Sequence, residues 1–213
     1  MKITTKNLVL LAMLTAIAYL AVSLIRIPVV VFLSYEPKDV IVTIAGFILG
    51  PVASLIIAAV VALLEMVTYS ETGIIGCVMN FISTAAFACV AAVIYKRKHT
   101  LGGAVIGLAA GAASMILIML LWNWLITPLY MGVDRQVVAG MLIPVFLPFN
   151  ALKAGFNSAL TLGLYKPLTS ALRKTGLLPR KDEKITSRAW IYIIAAVLLI
   201  SCILFLLVMQ GKL

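Results

Sequence analysis

The stretch PFNALKAGFN, residues 148–157, contains a lysine, Lys153, inside an otherwise uncharged part of the chain. Lys153 is the single charged residue in the range 136–165. If this segment crosses a bilayer, its ammonium group must face protein, water or a ligand, because a charge exposed to lipid is costly. Asn150 and Asn157 lie three residues before and four residues after Lys153, so a helix places all three polar groups on one face. The stretch therefore predicts a membrane helix with a functional polar face.

The composition of the whole chain is that of a polytopic membrane protein. Of its 213 residues, 64% are hydrophobic and 11% are charged, and the mean hydropathy is +1.18. A soluble protein of this length cannot bury so much apolar surface. We therefore predict an all-α integral membrane protein. Seven uncharged spans are predicted as helices, namely residues 8–25, 40–49, 51–64, 73–95, 101–131, 136–155 with an extension to 165, and 189–209.

The distribution of basic residues indicates that residues 40–69 form two helices that meet at Gly50-Pro51. Lys and Arg concentrate on the cytoplasmic side of membrane proteins. With two helices and a cytoplasmic N-terminus, most of the 17 Lys and Arg residues fall in cytoplasmic segments. One long helix would leave the basic clusters at 96–98 and 166–188 on a side that disagrees with the N-terminus. The formal charge of +10 is then a basic collar against anionic headgroups, and no nucleic-acid partner is needed.

A polar segment that contains Pro and Gly, residues 175–187, is predicted to be a cytoplasmic linker. It separates a six-helix substrate-binding membrane domain, residues 1–174, from an additional C-terminal transmembrane helix, residues 188–213. Apart from Ser201, the middle of this last helix is apolar, so we expect it to anchor or pack and to bind nothing. Seven spans from a cytoplasmic N-terminus place the C-terminus outside the cell.

Three asparagines in three predicted helices stand next to aromatic residues. Amide groups beside aromatic rings suit a planar heteroaromatic ligand, which takes hydrogen bonds at its edge and stacks on its face. Hydrogen bonding between helices explains any single asparagine equally well. The three amides together with Lys153 favour a binding site. The asparagines are Asn80, next to Phe81; Asn123, between Trp122 and Trp124; and Asn150, after Phe149.

Glu65 is the single acidic residue in the apolar region 40–69, and helical rise places it at a height similar to that of Lys153. These two residues have three possible interpretations: a structural ion pair, the lining of an outward-facing polar cavity, or the acid/base pair of a membrane-embedded enzyme. The apolar segment 26–38, with two prolines, either covers such a cavity or packs against helix ends. No sequence motif indicates a metal site or a soluble hydrolase.

Small residues provide a further signal. Ala12 and Ala16 share one face of the first predicted helix, and glycines recur every four residues at 103, 107 and 111. Such rows let helix backbones approach closely, within the fold or against a membrane partner. We expect the glycine row to pack inside the protein.

The chain resembles the substrate-binding S components of energy-coupling factor (ECF) vitamin transporters, and among these the riboflavin type. The resemblance extends over about residues 5–172, and the PFNALK element is its most specific part. It departs from the family in the additional C-terminal helix and in the loop at residues 68–73. The matching elements are AMLTA at 12–16, KDV at 38–40, Gly50-Pro51, Gly76 with Asn80-Phe81, and PFNALK at 148–153.

The resemblance implies a six-helix subunit in the bilayer that captures riboflavin, and also its phosphate FMN, from the extracellular side. In such a subunit the loop after the first helix covers the ligand. Ala12 and Ala16 would dock a transmembrane T component that works with two cytoplasmic ATPases. The chain itself would need no cofactor and catalyse nothing. An S component for another vitamin or small heterocycle is the alternative.

The resemblance also assigns site residues. Asn123, Asn150 and Lys153 match positions that contact flavin in riboflavin-type members, and Asn80 and Gly76 lie near them. We expect apolar walls from three aromatic residues and further polar groups from Glu65 and Asn157. The aromatic residues are Trp122, Trp124 and Phe149.

Overall fold

The computed structural model describes residues 4–30, 33–68, 72–177 and 189–209. Within these residues the fold is helical, with one short antiparallel hairpin, as the sequence predicted for its class. A π-helical turn, Leu142–Phe146, connects α7 to α8. The elements are α1 Thr5–Leu24, β1 Ile27–Val30, β2 Leu33–Tyr35, α2 Lys38–Leu49, α3 Pro51–Thr68, α4 Gly73–Arg97, α5 Leu101–Leu125, α6 Thr127–Met131, α7 Arg135–Met141, α8 Leu147–Lys174 and α9 Ala189–Met209.

Five helical segments in the described part of the chain are long and apolar enough to cross a membrane. They are α1, α3, α4, α5 and the continuous segment Arg135–Lys174 that contains α7 and α8. The chain is therefore a multi-pass membrane protein. α2 has 12 residues and is too short to span the hydrocarbon core alone.

The break between α2 and α3 lies at Gly50-Pro51, as the charge distribution predicted. Gly50 has φ +98°, a conformation that L residues rarely adopt. Pro51 begins α3, where its missing N–H costs no hydrogen bond. These two residues end α2 and begin α3 with no loop of further residues between the helices.

Two predicted helix boundaries were wrong, and proline explains the first. The span predicted at 101–131 ends at Leu125, and the short α6 follows, with Pro128 in its first turn. Proline cannot donate the backbone hydrogen bond that would continue α5. The span predicted at 136–155, with an extension to 165, continues to Lys174, and Pro167 inside α8 does not end it. Pro144 lies in the π-helical turn that precedes α8. Such turns accommodate a residue that disrupts the regular hydrogen-bond ladder.

The glycine row packs α5 against α4 inside the protein. A Cβ atom on Gly107 would lie 2.7 Å from the carbonyl oxygen of Ala91, and one on Gly111 would overlap the carbonyl oxygen of Phe87. Glycine is therefore what allows these two backbones to touch.

α9 runs antiparallel to α8. Tyr192 shares a small cavity with Tyr165, whereas Cys202, further along α9, contacts Gly155 so closely that a Cβ there would clash. The far end of α9 reaches the hairpin, where Leu206 packs on the apolar cluster that includes Val29. Most of the predicted linker, residues 178–187, lies outside the described residues, so the domain division remains a prediction.

Candidate functional site

A cavity of about 460 Å³ lies against the hairpin, between α3, α4, α5 and α8. This volume is within the range of about 300–1,000 Å³ that is typical of small-molecule sites. The lining combines apolar side chains with amides and charged groups. The lining residues are Arg26, Pro28, Leu33, Ser34, Glu36, Glu65, Thr72, Met79, Asn80, Ser83, Met119, Asn123, Tyr130, Phe149, Asn150 and Lys153.

Six of the residues predicted from the sequence meet in this cavity, although they come from four helices. Five of them also carry a polar group that can bind a ligand. They are Glu65, Asn80, Asn123, Phe149, Asn150 and Lys153.

Four other predicted residues do not line the cavity. Gly76 is buried one turn before Asn80 in α4, and Asn157 is buried deeper in the protein. Trp122 packs against the apolar cluster between α4 and α5. Trp124 is 40% exposed, and the guanidinium of Arg135 lies 5.3 Å from the centre of its ring.

Lys153 pairs with Asp39, at 3.2 Å between Nζ and Oδ2, and does not form the pair with Glu65 that was one interpretation of the sequence. Glu65 instead pairs with Lys38. The reason is that α2 begins two residues before the predicted span. Lys38 and Asp39 are therefore inside the protein, where they act as counter-charges.

Asp39 is fully buried and accepts three hydrogen bonds. Thr84 Oγ1 donates to its Oδ1 at 2.6 Å, while the Asn157 side-chain amide donates to its Oδ2 at 3.1 Å and Lys153 donates to the same oxygen. The Tyr35 hydroxyl in turn donates to Asn157 Oδ1 at 3.1 Å. Burial, and then the nearby Asp39 carboxylate, raise the pKa of Tyr35, so its hydroxyl keeps the proton that it donates.

A second polar chain begins at Glu65. The Asn80 side-chain amide donates to Glu65 Oε2 at 2.8 Å, and Lys38 connects Glu65 to Glu36, whose Oε2 is 3.1 Å from the ammonium nitrogen. Arg26 Nε lies 3.2 Å from the other oxygen of Glu36. Both polar chains therefore extend from the cavity wall to the hairpin or its ends.

The charges in and directly behind the cavity wall are balanced. Three cations face three carboxylates, and each carboxylate is within 4 Å of at least one cation. The wall therefore offers many hydrogen bonds but little net charge. The cations are Arg26, Lys38 and Lys153, and the carboxylates belong to Glu36, Asp39 and Glu65.

Comparison with known proteins identifies the family. The model of the ECF transporter substrate-specific component matches residues 6–165, which is most of the chain. The chain belongs to this family. The riboflavin transporter RibU of Staphylococcus aureus (strain TCH60) is 29% identical over 178 residues, which cover 79% of this S component and 93% of the relative. The riboflavin transporter FmnP of Bacillus subtilis (strain 168) is 30% identical over 165 residues, covering 70% and 84%.

The fold agrees with the same family. A solved structure of the S component of a bacterial ECF transporter superposes with a TM-score of 0.67 at 30% sequence identity. The match covers 79% of this chain and 98% of the solved one. The matched family region ends at residue 165, before α9 begins.

Two of the three cavity amides of this S component, those of Asn123 and Asn150, bond to backbone oxygens of the helical turn before them. Asn150 donates to the Phe146 carbonyl oxygen at 2.7 Å, and Asn123 donates to the Met119 carbonyl oxygen at 2.7 Å. Thr127 Oγ1 donates to the Asn123 side-chain oxygen at 2.9 Å. These bonds fix the orientation of both amides and leave the carbonyl oxygen of Asn150 for a ligand.

Sequence reasoning missed that Lys38 and Asp39 are the ion-pair partners of Glu65 and Lys153. A signal existed, because two adjacent opposite charges immediately before a short apolar helix are costly unless each has a partner. Lys153 and Glu65 were the unpaired charges within the predicted spans. Pairing opposite charges, Lys38 with Glu65 and Asp39 with Lys153, would have predicted both contacts.

Proposed function

We propose that this S component captures riboflavin in the cavity against the hairpin, as the substrate-binding subunit of an ECF transporter. The observation that carries the proposal is the convergence of Asn123, Asn150 and Lys153 on one cavity. The names of the relatives at 29% and 30% identity support the choice of riboflavin.

The chemistry of the cavity suits the flavin ring. The pyrimidine edge of the ring carries two carbonyl acceptors and one N–H donor between them. The Lys153 ammonium and amide N–H groups would donate to the carbonyls, and the Asn150 carbonyl oxygen would accept from the N–H. Met79, Met119 and Phe149 provide apolar and aromatic surface for the ring faces.

The balanced charges of the wall favour an uncharged ligand. A phosphate group in the cavity would lie near Glu36 and Glu65, and the cations there already have carboxylate partners. Like charges that are poorly solvated repel one another. We therefore propose riboflavin as the preferred ligand and expect FMN to bind more weakly.

The hairpin would cover the ligand on the extracellular side. Pro28, Leu33 and Ser34 line the cavity, whereas the buried side chains of Val29 and Tyr35 pack on the apolar cluster of α7 and α8. The segment 26–38 thus covers a cavity and packs on helices at the same time. This orientation agrees with a cytoplasmic N-terminus.

Transport would depend on partner subunits. Ala12 and Ala16 are exposed on α1, while Leu10, Leu14 and Ala18 face the core. We propose that this small-residue face docks the T component, and that two ATPases bound to the T component drive release. The chain itself would catalyse nothing, since Glu65 and Lys153 are separately paired and do not form an acid/base pair.

The test is direct. Purified protein should quench riboflavin fluorescence on titration, and protein that retains its ligand should be yellow, with flavin absorbance. FMN and unrelated vitamins serve as competitors. If the folded protein fails to bind riboflavin but binds another vitamin, the riboflavin assignment is wrong. If a purified preparation turned over a substrate, the proposal of a non-catalytic subunit would fail.

A further inference from the structure

Lys38 and Asp39 do not line the cavity, yet each is paired with a charged residue that does. Lys38 is 2% exposed and pairs with Glu65, while Asp39 is 0% exposed and pairs with Lys153. The two are adjacent in the first turn of α2. The first turn of α2 thus supplies the counter-charges for two residues of the cavity wall, one from α3 and one from α8.

The pairing resolves an electrostatic conflict in the wall. A carboxylate and an ammonium that line one poorly solvated cavity attract each other strongly. Without other partners, Glu65 and Lys153 would be drawn together across the space that a ligand needs. Lys38 and Asp39 give each of them a partner behind the wall.

We propose that Lys38 and Asp39 are positioning residues, which hold Glu65 and Lys153 apart and fix their polar atoms toward the ligand. The proposal rests on the proposed function, because the ligand used to test it is riboflavin. Neither residue contacts the cavity, so both act through their partners.

The geometry at Asp39 supports positioning in particular. Its two carboxylate oxygens accept hydrogen bonds from Thr84, Asn157 and Lys153, so the carboxylate cannot rotate without breaking one of them. Lys38 similarly bridges Glu65 and Glu36. Both residues therefore hold their cavity partners at defined positions.

The same turn of α2 connects both pairs to the hairpin. Asp39 reaches Tyr35 through Asn157, and Lys38 reaches Arg26 through Glu36. Positioning of the cavity charges is thus coupled to the position of the segment that covers the ligand.

The test is a pair of double-mutant cycles on the full-length purified protein, with the riboflavin Kd measured by fluorescence quenching. Asp39→Asn should raise the Kd by about 10- to 100-fold, the loss expected for one misplaced charged hydrogen bond. In a Lys153→Gln background the same change should alter the Kd by less than about twofold. Lys38→Met should likewise raise the Kd in the unaltered protein, and it should have little effect in a Glu65→Gln background.

The crossed combinations distinguish positioning from general damage. Asp39→Asn with Glu65→Gln, and Lys38→Met with Lys153→Gln, should multiply their separate effects. Thr43→Val is the matched control, because Thr43 is buried one turn along α2 and bonds to the Asp39 backbone oxygen. This control should leave the Kd unchanged while lowering the Tm.

Asp39→Glu provides the decision if Asp39→Asn does not fold. It keeps the charge but moves the carboxylate by one methylene, so positioning predicts a raised Kd in a folded protein. Two results would overturn this inference and leave the proposed function standing. One is an unchanged Kd for Asp39→Glu. The other is a double variant, Asp39→Asn with Lys153→Gln, whose effect on the Kd equals the product of the two single effects. Failure of the unaltered protein to bind riboflavin would overturn both this inference and the proposed function.

Discussion

The cavity against the hairpin and the interface between α4 and α5 share both of these helices but are held by different forces. Ion pairs and hydrogen bonds between residues far apart in the chain hold the cavity, such as Asn157 with Asp39. Close packing of the two helix backbones holds the interface, where Gly107 lies against the carbonyl oxygen of Ala91. Ion pairs leave polar atoms that a ligand can use, whereas packed backbones leave none. Binding should therefore respond to changes in the first region, and stability alone to changes in the second.

The largest expected effect is the loss of one partner of a buried ion pair. Lys153→Ala leaves the Asp39 carboxylate buried without its cation, which should lower the free energy of unfolding by about 3–5 kcal/mol. Riboflavin binding should weaken as well, because the ligand loses a charged donor. Thermal unfolding in detergent, together with flavin titration, measures both.

The double variant Lys153→Ala with Asp39→Asn is the control for this prediction. It removes both charges, so much of the lost stability should return while binding stays weak. If the double variant were as unstable as the single one, the pair would not be what holds this region.

A substitution in the interface should affect stability and leave binding intact. Gly107→Val places side-chain atoms against the Ala91 carbonyl oxygen and should destabilise the protein by about 1–3 kcal/mol. The riboflavin Kd of the folded fraction should not change. Gly102→Ala is the matched control in the same helix, since its Cβ would meet nothing closer than 4.0 Å. A changed Kd in Gly107→Val would show that the two regions are coupled.

A single cavity amide should have a smaller effect, limited to binding. Asn150→Ala removes one neutral hydrogen-bonding group and should weaken riboflavin binding by about 0.5–1.5 kcal/mol. Trp124→Ala is the comparison, because Trp124 faces away from the cavity and should leave the Kd unchanged. The reverse result, with Trp124 important and Asn150 not, would place the ligand elsewhere.

The sequence indicated the helical fold class and drew attention to polar residues within the membrane spans, because both signals are local. Hydropathy and basic clusters define spans, and a charged or amide residue in a span stands out against its neighbours. Lys153 and Glu65 were found in this way. The partner of Lys153 was not found in this way. Asp39 is more than a hundred residues away in the chain, and its contact with Lys153 depends on how α2 packs.

The aromatic walls show a second limit of the sequence. Trp122 and Trp124 flank Asn123, and successive residues in a helix point about 100° apart. The two tryptophans thus lie about 200° apart, so they cannot share the face that Asn123 presents to the cavity. Phe149 does line the cavity beside Asn150. Adjacency in sequence was a poor guide, and helical phase would have been a better one.

Changes on α1 should have almost no effect on the isolated protein. Ala16→Leu adds volume to an exposed face, so the Kd and the Tm should remain near those of the unaltered protein. Riboflavin uptake by cells should nevertheless be lost, because the T component would no longer approach closely. Thr15→Leu, at a partly buried neighbouring position, is the comparison for uptake. Equal loss of binding and uptake in Ala16→Leu would mean that α1 is part of the site.

Removal of α9 should have the smallest effect of all. Every described residue that lines the cavity precedes residue 154, and α9 contributes none of them. Deleting residues 182–213 takes away apolar contacts on α8, which lipid can replace, and the packing of Leu206 on the cluster beside the hairpin.

The truncated protein should therefore fold and bind riboflavin with a Kd within about threefold of the full-length value, a difference below 1 kcal/mol. Flavin titration of the purified truncated protein measures this. Gly155→Leu in the full-length chain is the matched control, since it displaces α9 at Cys202 without shortening the protein. A folded truncated protein that fails to bind would show that α9 holds the hairpin over the cavity, and the division into a six-helix domain and an additional helix would then be wrong.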